Sequence, residues 1–189
     1  MFVISDEIYE HINFIGGHQS LAQFPQLKDQ IAVINGVSKA YAMTGWRIGF
    51  MAGPEWLAKA CGKLQGQYTS GTCSVAQKAA QVAFDGPQDD VESMRKVFNR
   101  RRDLIVSLAK EIPGFEVNNP QGAFYLWMKT PVEEKEFVSK CKEYNILPVG
   151  GTSFACPGYV RFAYCVSYET IMNSMKAFAK VAEFYGLKK

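Results

Sequence analysis

Paired cysteines are missing from this sequence. Its five cysteines, Cys61, Cys73, Cys141, Cys156 and Cys165, are odd in number and none stands in CxxC spacing. Neither a disulfide framework nor a zinc site is expected, and a reducing cytoplasm is. Histidine is scarcer still, with only His11 and His18 present. Without HExxH or a Cys/His cluster there are no grounds for a metal centre or a Cys/His nucleophilic pair. Long apolar runs are also absent, so no segment is expected to cross a bilayer. Met1 to Phe14 carries Asp6, Glu7 and Glu10 where a secretory leader has a basic start and an apolar middle. A strong excess of one charge is lacking too: the formal net charge is +3. The densest basic cluster, Arg100-Arg101-Arg102, falls in a helical pattern and reads as a solvated face, which argues against a nucleic-acid partner.

What is present is the composition of a folded protein: 189 residues, 48% hydrophobic and 21% charged, with no repeat or low-complexity stretch. Short apolar runs at Phe2–Ser5, Ile31–Asn35 and Ile48–Ala52 alternate with helical patterns. This predicts an α/β layer with a buried, mainly parallel sheet covered on both faces. The first run starts directly after Met1, from which we expect that residues once preceded it. Helices are predicted from Pro54 to Leu64 and from about Cys73 to Phe84.

Gly86-Pro87 interrupts the pattern. Asp89 and Asp90 then open a long amphipathic helix with Val91, Met94, Val97, Phe98, Ile105, Leu108 and Ile112 on its apolar side, ending at Pro113-Gly114. Beyond it the pattern is α+β: a hairpin-like stretch over 115–129, a helix from Pro131 to Tyr144, strands at Ile146–Val149 and Tyr159–Val166, and a final helix. Thr130-Pro131-Val132-Glu133 reads as a capping box, and Ser167 as the cap of a helix with the stripe Ile171, Met175, Phe178, Ala182 and Tyr185. The expected organisation is residues 1–87, a connecting helix over 88–114, and a smaller domain over 115–189.

Chemistry concentrates in Asn35-Gly36-Val37-Ser38-Lys39-Ala40-Tyr41-Ala42-Met43-Thr44-Gly45-Trp46-Arg47-Ile48-Gly49, where a lysine follows an apolar strand and an arginine lies eight residues further on. Ligands gather at strand ends of open α/β sheets. Isolated residues of this kind are ordinarily surface groups, but the whole string resembles the lysine-site signature of class I and II aminotransferases, the aspartate-aminotransferase-like enzymes of fold type I. Ser5-Asp6-Glu7-Ile8-Tyr9-Glu10 and Phe154-Ala155-Cys156-Pro157-Gly158-Tyr159-Val160-Arg161 extend the resemblance over nearly the whole chain.

The resemblance implies part of a large domain binding pyridoxal 5′-phosphate, followed by a small C-terminal α+β domain. It implies that Lys39 is the Schiff-base lysine, that Arg47 and Ser38 hold the phosphate, and that Asp6 and Tyr9 hold the pyridine ring. Arg161 then matches the arginine that binds the substrate α-carboxylate. The reaction implied is transamination between an α-amino acid and a 2-oxo acid by a homodimer. The types suit the tasks: a deprotonated amine captures an aldehyde, and a guanidinium binds oxygens bidentately. A carboxylate at the ring nitrogen keeps the cofactor an electron sink.

On residue grounds alone, Asp6 reads rather as a helix cap or turn former, and Arg161 could equally be an edge-strand arginine facing water. Thr69 and Ser70 match a segment that approaches a neighbouring subunit's phosphate, with helix capping as the alternative. Trp46 and Phe124 read as core or wall aromatics, and His11 and His18 as surface or turn residues. The pattern is departed from at two places: Gly36 stands where some members have a hydroxyl residue, and Ala155 where a glycine is usual. The family's earlier half, with its glycine-containing phosphate loop and stacking aromatic, has no match here. A lyase of the same fold, and a non-catalytic domain, are the alternative readings.

Overall fold

The computed structural model describes residues 1–187 and divides into two compact units, Met1–Arg95 and Lys96–Lys189. The boundary falls within one long helix. In the first unit the apolar runs form β1 (Val3–Asp6), β2 (Ile31–Gly36) and β3 (Gly49–Ala52), in the order β1-β2-β3. β1 and β2 are parallel, with Asp6 opposite Ile34, whereas β3 runs antiparallel to β2, with Gly36 opposite Gly49. The parallel character expected of the sheet resides in the β1–β2 pair.

β2 begins and ends in buried residues, as a central strand should. The flanking strands depart from the expected cover on both faces: Ile4 is 69% exposed and Phe50 45%. Helix α1 (Glu55–Tyr68) starts after Pro54 and runs past Leu64. Helix α2 (Ser74–Asp85) buries Ala76 and Ala80, whose small side chains meet Val37 and Ile48. Helix α3 (Asp89–Glu111) opens with Asp89, Asp90 and Glu92 at the positive end of its dipole.

The second unit is an antiparallel sheet of β4 (Glu116–Val117), β5 (Tyr125–Lys129), β6 (Val149–Gly150) and β7 (Tyr159–Ala163), ordered β4-β5-β7-β6. Period-two alternation buries Leu126 and Met128 of β5 and Val160 and Phe162 of β7. Helices α4 (Glu134–Glu143) and α5 (Tyr168–Phe184) supply Phe137, Cys141, Ile171, Phe178 and Val181 to the core. The Phe162 ring stands edge-on to Phe178 at 4.7 Å. Ser167 caps α5 as its sequence indicates, its Oγ accepting from the Thr170 amide at 3.1 Å.

Other expectations change as well, and the strand expected over Tyr159–Val166 ends at Ala163. α4 starts at Glu134, not Pro131, because the Thr130 amide and hydroxyl both donate to the Gly158 carbonyl, at 2.9 and 3.1 Å. Glu133 becomes the cap, accepting from the Glu136 amide at 3.0 Å. The strand expected over Ile146–Val149 is reduced to Val149–Gly150, with Leu147 exposed. The arginine run is not a uniformly solvated face. Arg101 lies over the rings of Phe98 and Tyr168, and Arg102 donates to the Pro120 carbonyl at 2.7 Å.

Candidate active site

Because β1 and β2 are parallel, their carboxyl ends emerge at one edge of the sheet, where α/β proteins hold ligands. Asp6 is the last residue of β1, and its Oδ1 accepts from the Ile8 amide at 3.2 Å to start the turn that carries Tyr9. β2 ends at Gly36, and Ser38 and Lys39 follow in the next turn. That turn is fixed from both sides of the lysine: Val37 and Ala40 are buried, and Val37 packs with Ile48, Ala76 and Ala80. Backbone bonds from Tyr41 to the Val37 carbonyl and from Ala42 to the Lys39 carbonyl, 3.3 Å each, close it. The half-buried Lys39 side chain places Nζ 6.0 Å from the centre of the Tyr9 ring.

Arg47 closes the segment in a left-handed conformation, φ 54° and ψ 48°. For a residue with a Cβ this costs about 1 kcal/mol, a strain of the kind that persists where a side chain must be aimed. Its guanidinium is exposed and donates to the Thr44 carbonyl at 2.8 Å. Gly36 has a packing reason to lack a side chain: a Cβ there would stand 2.7 Å from the Ile48 carbonyl oxygen and 2.9 Å from Gly49 Cα. Thr69 follows α1 and its hydroxyl is bonded to Gln65, so it acts as a helix-end residue; Ser70 beside it has φ 60°. Phe124 is buried against Phe98 and Tyr125, whereas Trp46 is 48% exposed and belongs to no core.

Arg161 lies in the second unit. On β7 it stands opposite Trp127 of β5 and Val149 of β6, on the face opposite the core. Its guanidinium is held between two rings, 4.1 Å from the centres of both Tyr125 and Phe154. Two rings this close restrict where the guanidinium can go, and the N–H groups of such a planar cation are the ones that bind anions. The loop that carries Phe154 ends at Ala155 in the left-handed region, φ 55°, where glycine would be unstrained. The ring clamp was not foreseen from the sequence, although Tyr125, two residues from Trp127, shares its strand face.

Glu7 is a further residue that sequence reasoning passed over. Apart from Asn35 it is the buried polar side chain among the described residues. Its Oε1 accepts from Ser5 Oγ at 2.9 Å and the Leu21 amide at 3.1 Å, and its Oε2 lies 2.8 Å from His18 Nε2. Burial pushes its carboxyl up, but the hydrogen bonds from His18, Ser20, Ser5 and the Leu21 amide outweigh this and hold it below the ordinary glutamate value. His18 is on the surface, as expected, yet its ring reaches a buried carboxylate. No sequence spacing signals the pair, because a loop containing Gly16 and Gly17 separates the two. Glu7, Glu10 and His18 bring three ligand-type atoms within 4.8 Å of one another, with the Glu7 oxygens already engaged. Among the described residues, no helix is long and apolar enough to cross a membrane.

A carboxylate, a phenol, a primary amine, a hydroxyl and a guanidinium thus share the first unit, a donor set chemically suited to a ring carrying a nitrogen, a phenolic oxygen, an aldehyde and a phosphate. The model of the family "Aminotransferase class I and II" matches residues 1–178. The aspartate aminotransferase of Geobacillus stearothermophilus is 39% identical, over 97% of this chain and 49% of that protein. A probable aspartate/prephenate aminotransferase of Rickettsia prowazekii (strain Madrid E) is 40% identical, over 89% and 46%. Among solved structures, an aromatic aminotransferase from Pyrococcus horikoshii OT3 superposes with a TM-score of 0.94 at 34% identity, covering 100% of this chain and 52% of that one. The aspartate aminotransferase from Rhizobium meliloti gives 0.90 at 34%, covering 96% and 50%. The chain spans about half the length of the relatives it matches. With the family model matching nearly its whole length, this chain belongs to the class I and II aminotransferases.

Proposed function

We propose that this chain carries the cofactor- and carboxylate-binding residues of a pyridoxal-phosphate-dependent aminotransferase that moves an amino group between an α-amino acid and a 2-oxo acid. The observation that carries the reading is the arrival of Asp6, Tyr9 and Lys39 at one edge of a parallel strand pair, with Arg47 on the loop that follows. When bound, the cofactor supplies an aldehyde and an electron-accepting ring. Asp6 would hold a proton at the ring nitrogen and the Tyr9 hydroxyl would donate to the phenolic oxygen. Arg47 and Ser38 would anchor the phosphate. Lys39 Nζ would be the amine that holds the cofactor through its aldehyde carbon, and the group placed to move the substrate's α proton. Arg161 orients the substrate through its α-carboxylate.

The division of the chain within α3 supports reading residues 1–87 as part of a cofactor domain, 88–114 as the connecting helix and 115–189 as the small domain. Exposed apolar side chains on the first unit support a homodimer, and five free cysteines a reducing cytoplasm. The names of the relatives make aspartate the first donor to try. Incubation with pyridoxal phosphate, L-aspartate and 2-oxoglutarate is expected to form glutamate, and Lys39→Ala to abolish it. Absence of glutamate, or ammonia released without any oxo-acid acceptor, contradicts the reading; the second outcome favours the lyase.

A further inference from the structure

We infer that Glu7 is a positioning residue for the cofactor ring: it locks the turn between Asp6 and Tyr9 so that both side chains meet Lys39 in one geometry. The inference rests on the pyridoxal-phosphate reading of Asp6, Tyr9 and Lys39, and adds a group that touches neither cofactor nor substrate.

The argument begins with the pair Asp6-Glu7, two adjacent carboxylates at a strand end with opposite fates. Asp6 is exposed while Glu7 is 6% exposed, as alternation along an extended chain dictates. A carboxylate is retained in such a position only when its oxygens are satisfied. Those of Glu7 are satisfied by three separate pieces of chain: Ser5 of β1, His18 of the glycine loop and the Leu21 amide beyond it. Its backbone adds two more ties. The Glu7 amide donates to the Ile34 carbonyl of β2 at 2.9 Å, and its carbonyl accepts from the Glu10 amide at 2.9 Å.

Glu7 therefore fastens the end of β1 to β2, and β2 leads directly into the Lys39 turn. It also fastens the Tyr9 turn to the 18–21 loop. The ring-holding residues lie on either side of it in sequence, Asp6 immediately before and Tyr9 two positions after. The titratable groups facing it are His18 and Glu10, the latter 3.1 Å from His11 Nε2. Replacing the carboxylate would leave the Leu21 amide and the Ser5 hydroxyl without their acceptor and release the loop. The turn that aims Asp6 and Tyr9 would then sample more than one arrangement.

The test uses the full chain with pyridoxal phosphate, comparing wild type with Glu7→Gln, Glu7→Ala and His18→Gln, and with the surface variant Glu116→Gln as control. Three quantities are read: pyridoxal phosphate affinity from absorbance, the pH midpoint of the Lys39 adduct's absorption band, and the thermal midpoint by circular dichroism. A protonated ring nitrogen and a hydrogen bond at the phenolic oxygen both withdraw electrons from the adduct nitrogen, so loosening Asp6 or Tyr9 raises the band's pH midpoint. Glu7→Ala is expected to weaken affinity about tenfold, as removal of a supporting partner does. It should also raise the midpoint by about half a pH unit. His18→Gln should shift both in the same direction by less.

A merely structural role would move the thermal midpoint alone. Folded Glu7→Gln and Glu7→Ala with wild-type affinity and band midpoint overturn the inference while leaving the cofactor reading intact. Absence of any Lys39 adduct in wild type overturns both. Should Glu7→Ala fail to fold, the isosteric Glu7→Gln decides by the same two optical quantities.

Discussion

Among the described residues Arg161 lies against two rings and no carboxylate, and that distinction can be measured. A guanidinium 4.1 Å from the ring centres of both Tyr125 and Phe154 loses rotamer freedom. Phe154→Leu keeps the bulk but removes the π face. It is expected to raise KM for amino and oxo acids by about tenfold with kcat nearly unchanged, while Phe154→Tyr stays near wild type; steady-state kinetics of the two decide. An equal loss in both variants would show that bulk alone matters. Glu7 makes a prediction about acid. Because its folded-state value is depressed, its contribution is complete above the ordinary glutamate range, near pH 4.3, and is lost as pH falls through the lowered value. Denaturant titrations from pH 6 to pH 3 should therefore show wild-type stability falling more steeply than that of Glu7→Gln below that range. Parallel curves would contradict the assignment.

At the scale of elements, the close approach of β2 and β3 at Gly36 and Gly49 explains a departure from the family pattern. Gly36→Ala must push the strands apart or shift the Ile48 carbonyl, and is expected to cost about 1–3 kcal/mol, as overpacking does. A thermal melt showing no loss would mean that the strand end yields without strain. The neighbouring elements show which signals a sequence carries. The α5 cap at Ser167 was legible because capping is local. The α4 start was not, because Thr130 is taken up by Gly158, a partner distant in sequence. Site residues divide in the same way. Lys39 and Arg47 stand in one contiguous string and Asp6 and Tyr9 in a second short one, so the sequence could single them out, whereas Glu7–His18 and the rings beside Arg161 depend on contacts made across loops and strands, which no spacing encodes.

At the scale of the molecule, the surface is less covered than the composition leads one to expect. Ile4, Phe50, Trp56, Leu64, Tyr68 and Val82 are exposed on the first unit, where apolar cover was anticipated on both sheet faces. Where such side chains form one contiguous patch, they commonly mark a site of association. Light scattering on the purified chain is expected to give a mass well above the 21.1 kDa of one copy, and a monodisperse monomer at micromolar concentration would contradict this. The central claim is that Lys39 is the amine a cofactor aldehyde meets. Its most direct test is to incubate the chain with pyridoxal phosphate, reduce with borohydride and map the adduct by peptide mass. The account predicts label on Lys39 alone, diminished in Arg47→Ala; no label, or label scattered over surface lysines, would contradict it.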